Sequence, residues 1–154
     1  MILGVLVRRI NVIKNRKFAS FHQYEFIAMK KPVNISDAPK PIAPYSQAIL
    51  TGNTLYVSGQ IAIDPYTGKL VDGGASAQTK RVMENIRAIL KEEGMDFSHI
   101  VKCSIFMSDM SIYKDVNEVY GTYFDTDPPA REAMAVKGLP MNVDVEISCI
   151  ASNQ

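Results

Sequence analysis

Arg131 and Glu146 are the residues of this chain best suited to chemistry on a small anion. They fall within PAREAMAVKGLPMNVDVEI, which runs from Pro129 to Ile147. The stretch reads as two short strands joined by a loop containing Gly138 and Pro140. Arg131 stands alone among alanines on the first strand. On the second, Val143, Val145, Ile147 and Cys149 alternate with Asp144, Glu146 and Ser148. Side chains on a strand alternate between faces, so the apolar set points to a core and Glu146 points away. An arginine and a carboxylate on neighbouring strands can frame a small acid, because guanidinium grips a carboxylate through parallel hydrogen bonds. The competing reading is an ordinary solvent-facing salt bridge, which contributes little.

Other reactive constellations find less support. His22 and His99 lie far apart, with no cysteine or carboxylate cluster at ligand spacing, so no metal site is expected. With so few histidines, a Ser-His-Asp or Cys-His arrangement is also disfavoured. Cys103 and Cys149 each sit on an apolar strand face and read as buried free thiols.

The chain has 154 residues, which suits one domain, with 47% hydrophobic content. No apolar run reaches the roughly 20 residues that span a bilayer. Charge is unevenly placed. Of 17 basic and 16 acidic residues, five basic and one acidic fall within residues 1–29, leaving twelve and fifteen in the body. That body shows no basic patch of the kind that nucleic-acid binding requires. Residues 1–28 are apolar and basic, with no secretory cleavage signal, and resemble a mitochondrial transit peptide. An ordinary N-terminal arm, or a start at Met29, would give the same composition. The expected location is the mitochondrial matrix or the cytoplasm.

The elements that must position Arg131 and Glu146 follow from pattern. Four prolines between Lys30 and Pro44 predict an extended lead-in without helix or central strand. Ser46–Thr51 and Thr54–Ser58 read as a hairpin around Gly52-Asn53. Asp64 to Gly68 is a turn. Ser76–Glu93 is a helix with Thr79, Val82, Ile86, Ile89 and Leu90 on its apolar face, stopped by Gly94. His99–Met107 is a strand. Ser111 is a candidate cap for a second helix whose stripe runs through Val116, Val119, Tyr120, Tyr123 and Phe124. The order β-β-α-β-α-β-β gives an α+β two-layer domain over residues 29–154. Its second sheet face would lie open in a monomer. Ile49, Leu55 and Val57 cannot all face the helices, so a second subunit is expected there.

Four spaced motifs in this order, PIAPYSQ (41–47), VSGQ (57–60), PAR (129–131) and VEI (145–147), resemble the RidA (reactive intermediate deaminase A, YjgF/UK-type) family. The resemblance runs from about Lys31 to Ala151. It implies a chorismate-mutase-like fold, a homotrimer with clefts between subunits, and no metal or organic cofactor. It implies hydrolysis of reactive enamines and imines, such as 2-aminoacrylate, 2-iminopropanoate and 2-iminobutanoate, to 2-keto acids and ammonia. By position, Arg131 would bind the substrate carboxylate and Glu146 would orient or activate water. Tyr45 would join them from the pocket wall, with Ser58, the Gly59 backbone and Asn117 near the substrate. Two departures stand out. Glu132 replaces a small or apolar residue, and alternation should turn it away from Arg131's face. Ala133 stands where many relatives have cysteine, which excludes thiol chemistry there. An endoribonuclease or translation inhibitor, and a non-catalytic trimeric binder of small acids, are the alternatives.

Overall fold

A computed structural model describes residues 30–153. The basic leader assigned to residues 1–28 lies outside the described residues.

Among the described residues six strands form one sheet: β1 (Lys31–Val33), β2 (Ala48–Thr51), β3 (Thr54–Gln60), β4 (Ile100–Met107), β5 (Ala130–Ala135) and β6 (Val145–Ser152). Helix α1 (Gly74–Glu92) follows β3, and α2 (Tyr113–Gly121) links β4 to β5. The spatial order is β1-β2-β3-β6-β4-β5. Among these strands β4 and β5 pair in parallel and the other pairs are antiparallel. A parallel pair needs a crossover connection, and α2 lies in it.

The proline-rich lead-in contains one strand that pattern did not predict. In β1, Pro32 pairs with Ile49 at the sheet edge. A residue without an N–H is tolerated there because one side of an edge strand has no ladder to satisfy. The hairpin turns at Gly52, which takes φ 55°. Ser46 and Gln47 precede β2 rather than belonging to it.

The apolar stripe of α1 is buried as its spacing demands: Thr79, Val82, Ile86, Ile89 and Leu90 have no exposed surface. Gly94 closes the helix at φ 67°, and Met95 N–H returns to the Leu90 carbonyl at 3.0 Å. The second helix differs from its expected form at both ends. Ser111 does not cap it: Asp109 caps a short 3-10 turn at Met110–Ile112 that leads into the helix, its Oδ1 accepting from Ser111 N–H at 2.7 Å, and Ile112 at the helix's own N-cap makes no side-chain cap bond. The helix stops at Gly121, so Tyr123 and Phe124 leave the helical stripe. They pack instead on Phe97, with ring centroids 5.0 and 5.8 Å away.

Both helices cover one face. Leu55, Val57, Cys103, Ile105, Ile147 and Cys149 are buried beneath them. Each such side chain withdrawn from water contributes roughly 1.5–3 kcal/mol. The three residues divide: Leu55 and Val57 face the helices, whereas Ile49, paired with exposed Tyr56, does not. The open face carries their alternates. Ile49, Tyr56, Ile150, Lys102 and Ala130 lie in one cross-strand row, with Tyr56 46% exposed. A second row joins Glu146, Phe106 and Met134.

Candidate active site

The first cluster forms where the lead-in meets β3 and β6. Prolines and turns leave the carbonyls of this arm without strand partners. Buried Gln47 takes them up: its Nε2 donates to the carbonyls of Ile35 at 3.1 Å, Ala38 at 3.0 Å and Pro39 at 2.8 Å. Tyr45, two residues earlier, is thereby held over β3. Between Val57 and Gln60 the β3–β6 register slips, so that Ser58 and Gly59 oppose Ser148 alone. Such a bulge bends the strand and re-aims its neighbours. Asn85 of α1 braces the next stretch, donating to the Ile61 and Ile63 carbonyls at 3.1 and 3.0 Å. Gln78 of α1 similarly holds the start of β6, with Oε1 accepting from Asp144 N–H at 2.8 Å.

The result is a cavity of about 290 Å³ lined by Ile42, Tyr45, Ser58, Gly59, Ile61 and Glu146, among others. The Glu146 carboxylate lies directly over Gly59. A Cβ on Gly59 would overlap it, standing 2.7 Å from its Cδ. The Ser58 hydroxyl donates to the Ser46 carbonyl at 2.7 Å. Glu146 has no such partner among the described residues, and burial pushes its carboxyl above the ordinary glutamate range. It is thus a half-buried acid with nothing to neutralise it.

The second cluster surrounds Arg131 at the other end of the sheet. Its Nη1 donates to Asn117 Oδ1 at 2.8 Å and its Nη2 to the Tyr113 hydroxyl at 3.0 Å. The guanidinium carbon stands 5.1 Å from the centroid of the Tyr120 ring, within cation–π range. Tyr113, Asn117 and Tyr120 are spaced four and three residues apart on α2, which puts them on one helix face. All three are neutral, and Arg131 forms no ion pair among the described residues. The salt-bridge reading therefore fails for this arginine. Its positive charge is held in place and left uncompensated.

Glu132 does point away from Arg131. It binds Lys102 Nζ at 2.7 Å and accepts from Ser104 on the open face. Ala133 packs on the core.

Arg131 and Glu146 do not lie on neighbouring strands. β4 runs between theirs. Arg131 is level with Cys103 and Cys149 on the helix side, whereas Glu146 is level with Phe106 and Met134 on the open side. Two strand spacings alone amount to about 10 Å. One chain brings Tyr45, Ser58, Gly59 and Glu146 together, and separately Arg131 with Asn117. Tyr113 was not singled out by the sequence reading. The signal for it is its helical spacing from Asn117, on the helix leading into Arg131's strand.

Among the described residues no group of three or more His, Cys, Asp or Glu could hold a metal, and no helix is long and apolar enough to cross a membrane.

A two-layer α+β domain with one mixed sheet, a bulge beneath a half-buried glutamate and an uncompensated edge arginine defines the structural class. The chain belongs to the endoribonuclease L-PSP family, whose family model matches residues 35–153; this is the RidA group that the spaced motifs resemble. It is 43% identical over 123 residues to 2-iminobutanoate/2-iminopropanoate deaminase of Rattus norvegicus, covering 80% of this chain and 90% of that protein. Among solved structures it resembles a putative endoribonuclease from Thermotoga maritima, with TM-score 0.79 and 48% identity, covering 82% of this chain and 99% of that one. It also resembles E. coli TdcF with bound serine, with TM-score 0.77 and 32% identity, covering 80% and 99%.

Proposed function

We propose that this protein hydrolyses small 2-imino acids, such as 2-iminopropanoate and 2-iminobutanoate, to 2-keto acids and ammonia, at a site completed between copies of the chain. The observation that carries it is a pair of unmatched charges: an arginine without an anion and a glutamate without a cation, each on a preformed support. A 2-imino acid complements both. Its carboxylate suits Arg131, and its electrophilic carbon needs a water from which Glu146 can take a proton.

The two charges face opposite sides of one sheet, so a neighbouring copy must supply one of them. The apolar character of the open face, at Tyr56, Ile150, Phe106 and Met134, supports such a neighbour. A closed ring of identical head-to-tail contacts meets the need, and family resemblance favours three copies.

In this reading Arg131 anchors the acid while Asn117 fixes the guanidinium. Water adds to the imine carbon and Glu146 accepts its proton. The protonated carboxyl then returns that proton to nitrogen to give a carbinolamine, and Glu146 next takes the carbinol O–H proton and passes it to nitrogen as the C–N bond breaks, so that ammonia leaves a 2-keto acid. A carboxyl with a raised pKa serves both steps. Ile42 and Ile61 give the cavity an apolar wall, and the Gly59 approach fixes the base. Since imines hydrolyse unaided, positioning supplies much of the acceleration. The deaminase name of a 43%-identical relative and the amino acid bound by TdcF agree with this substrate class.

The test is to generate 2-iminopropanoate with an amino-acid oxidase and follow its decay. The protein should accelerate the decay. Arg131→Ala should lose roughly 2–5 kcal/mol in kcat/KM, and decay at the buffer rate with the native chain would reject the proposal.

A further inference from the structure

We infer that the Tyr113 hydroxyl is a second hydrogen-bond donor to the substrate's carboxylate, so that the acid is gripped by a guanidinium and a phenol together. The inference rests on the reading above that Arg131 holds the acid.

The donor direction at this contact is fixed by chemistry. Guanidinium has five N–H donors and no acceptor, whereas a phenol has one proton and two lone pairs. In the 3.0 Å contact, Arg131 Nη2 must therefore donate and Tyr113 must accept. The phenol proton is left for something else. Among the described residues, the Tyr113 hydroxyl takes part in no other hydrogen bond, and the residue is 37% exposed.

That proton is a good donor for an anion. A cation donating into the phenol oxygen polarises its O–H bond, and chained hydrogen bonds strengthen one another. Arg131 uses one N–H on Asn117 and one on Tyr113. Three remain, one of them on Nη2, and a carboxylate taken up there lies beside the Tyr113 hydroxyl. Because the partners of Arg131 are neutral, the receptor keeps its full positive charge while adding a neutral donor. The ring has a separate task, with the guanidinium carbon 5.9 Å from its centroid. Removing the hydroxyl alone leaves that ring in place.

The substitution to make is Tyr113→Phe, in the assembled full-length protein. Calorimetry would measure binding of 2-oxobutanoate and of its uncharged amide, 2-oxobutanamide, to native and variant protein. A hydrogen bond to a charged group predicts about tenfold weaker binding of the acid. Binding of the amide should change by less than twofold. In imine hydrolysis, most of the loss in kcat/KM should appear in KM. Equal binding of the acid by both proteins would overturn the inference alone. An equal loss for acid and amide would also overturn it, because that marks a structural effect on the pocket. A native protein that binds no 2-keto acid would overturn the Arg131 reading and this inference with it.

Discussion

Arg131 and Glu146 project from opposite faces of one sheet, with β4 between their strands. Neither can serve the other's substrate within a chain. This makes the subunit boundary testable by mixing two inactive proteins. Arg131→Ala and Glu146→Gln, unfolded and refolded together, should regain activity, since some boundaries then combine a native arginine with a native glutamate. Random assembly into a head-to-tail ring predicts about a quarter of native activity. Kinetic assay of the mixture against each variant refolded alone checks it. No gain in a demonstrably mixed oligomer would show that both residues do not act across one boundary.

Gly59 gives a second prediction. Its missing side chain is the space that the Glu146 carboxylate occupies. Gly59→Ala should displace the carboxylate and lower kcat by at least about tenfold, because small misplacements of a catalytic group are costly. The backbone there does not take positive φ, so the fold should survive. Rate measurement beside circular dichroism separates the two effects.

Acidity offers a third. Burial raises the Glu146 pKa, so the active carboxylate form is lost on acidification at a pH above the ordinary glutamate value of 4.5. The acid limb of kcat/KM should lie correspondingly high. The stability consequence has the opposite sense. With a raised folded pKa, the protonated acid favours folding below the unfolded pKa, and that contribution disappears as pH rises through the folded pKa. At neutral pH the buried charge therefore works against folding. Glu146→Gln should raise the melting temperature near pH 7 while abolishing turnover, and the gain in melting temperature should shrink towards pH 4. Thermal melts of both proteins across that range check it.

Gln47 should matter for stability more than any other polar residue of the lead-in. Gln47→Leu strips the carbonyls of Ile35, Ala38 and Pro39 of their donor. The expected cost is about 2–4 kcal/mol, since buried acceptors would be left unmet. Urea denaturation measures it, and KM should rise as Tyr45 loses its support.

Much of this was open to a reader of the sequence because it is local. The stripe on α1, the stop at Gly94, the turn at Gly52 and the outward phase of Glu146 depend on residues within a few positions of one another. The short motifs around Tyr45, Ser58, Arg131 and Glu146 are likewise local, which is why the family was legible. The Asp109 cap and the early end of α2 were missed for a related reason: several nearby residues can cap or extend a helix, and packing against Phe97 drew Tyr123 and Phe124 out of the stripe.

What the chain alone determined, then, is which residues carry charge and which way each strand alternates. The tertiary structure decided which strands meet. Insertion of β4 between β5 and β6 rests on backbone hydrogen bonds between segments far apart in sequence, and alternation within a single strand carries no record of its partner. That insertion held Arg131 away from Glu146, the pairing of β3 with β6 put Glu146 over Gly59, and each charge was left without its complement in the same chain.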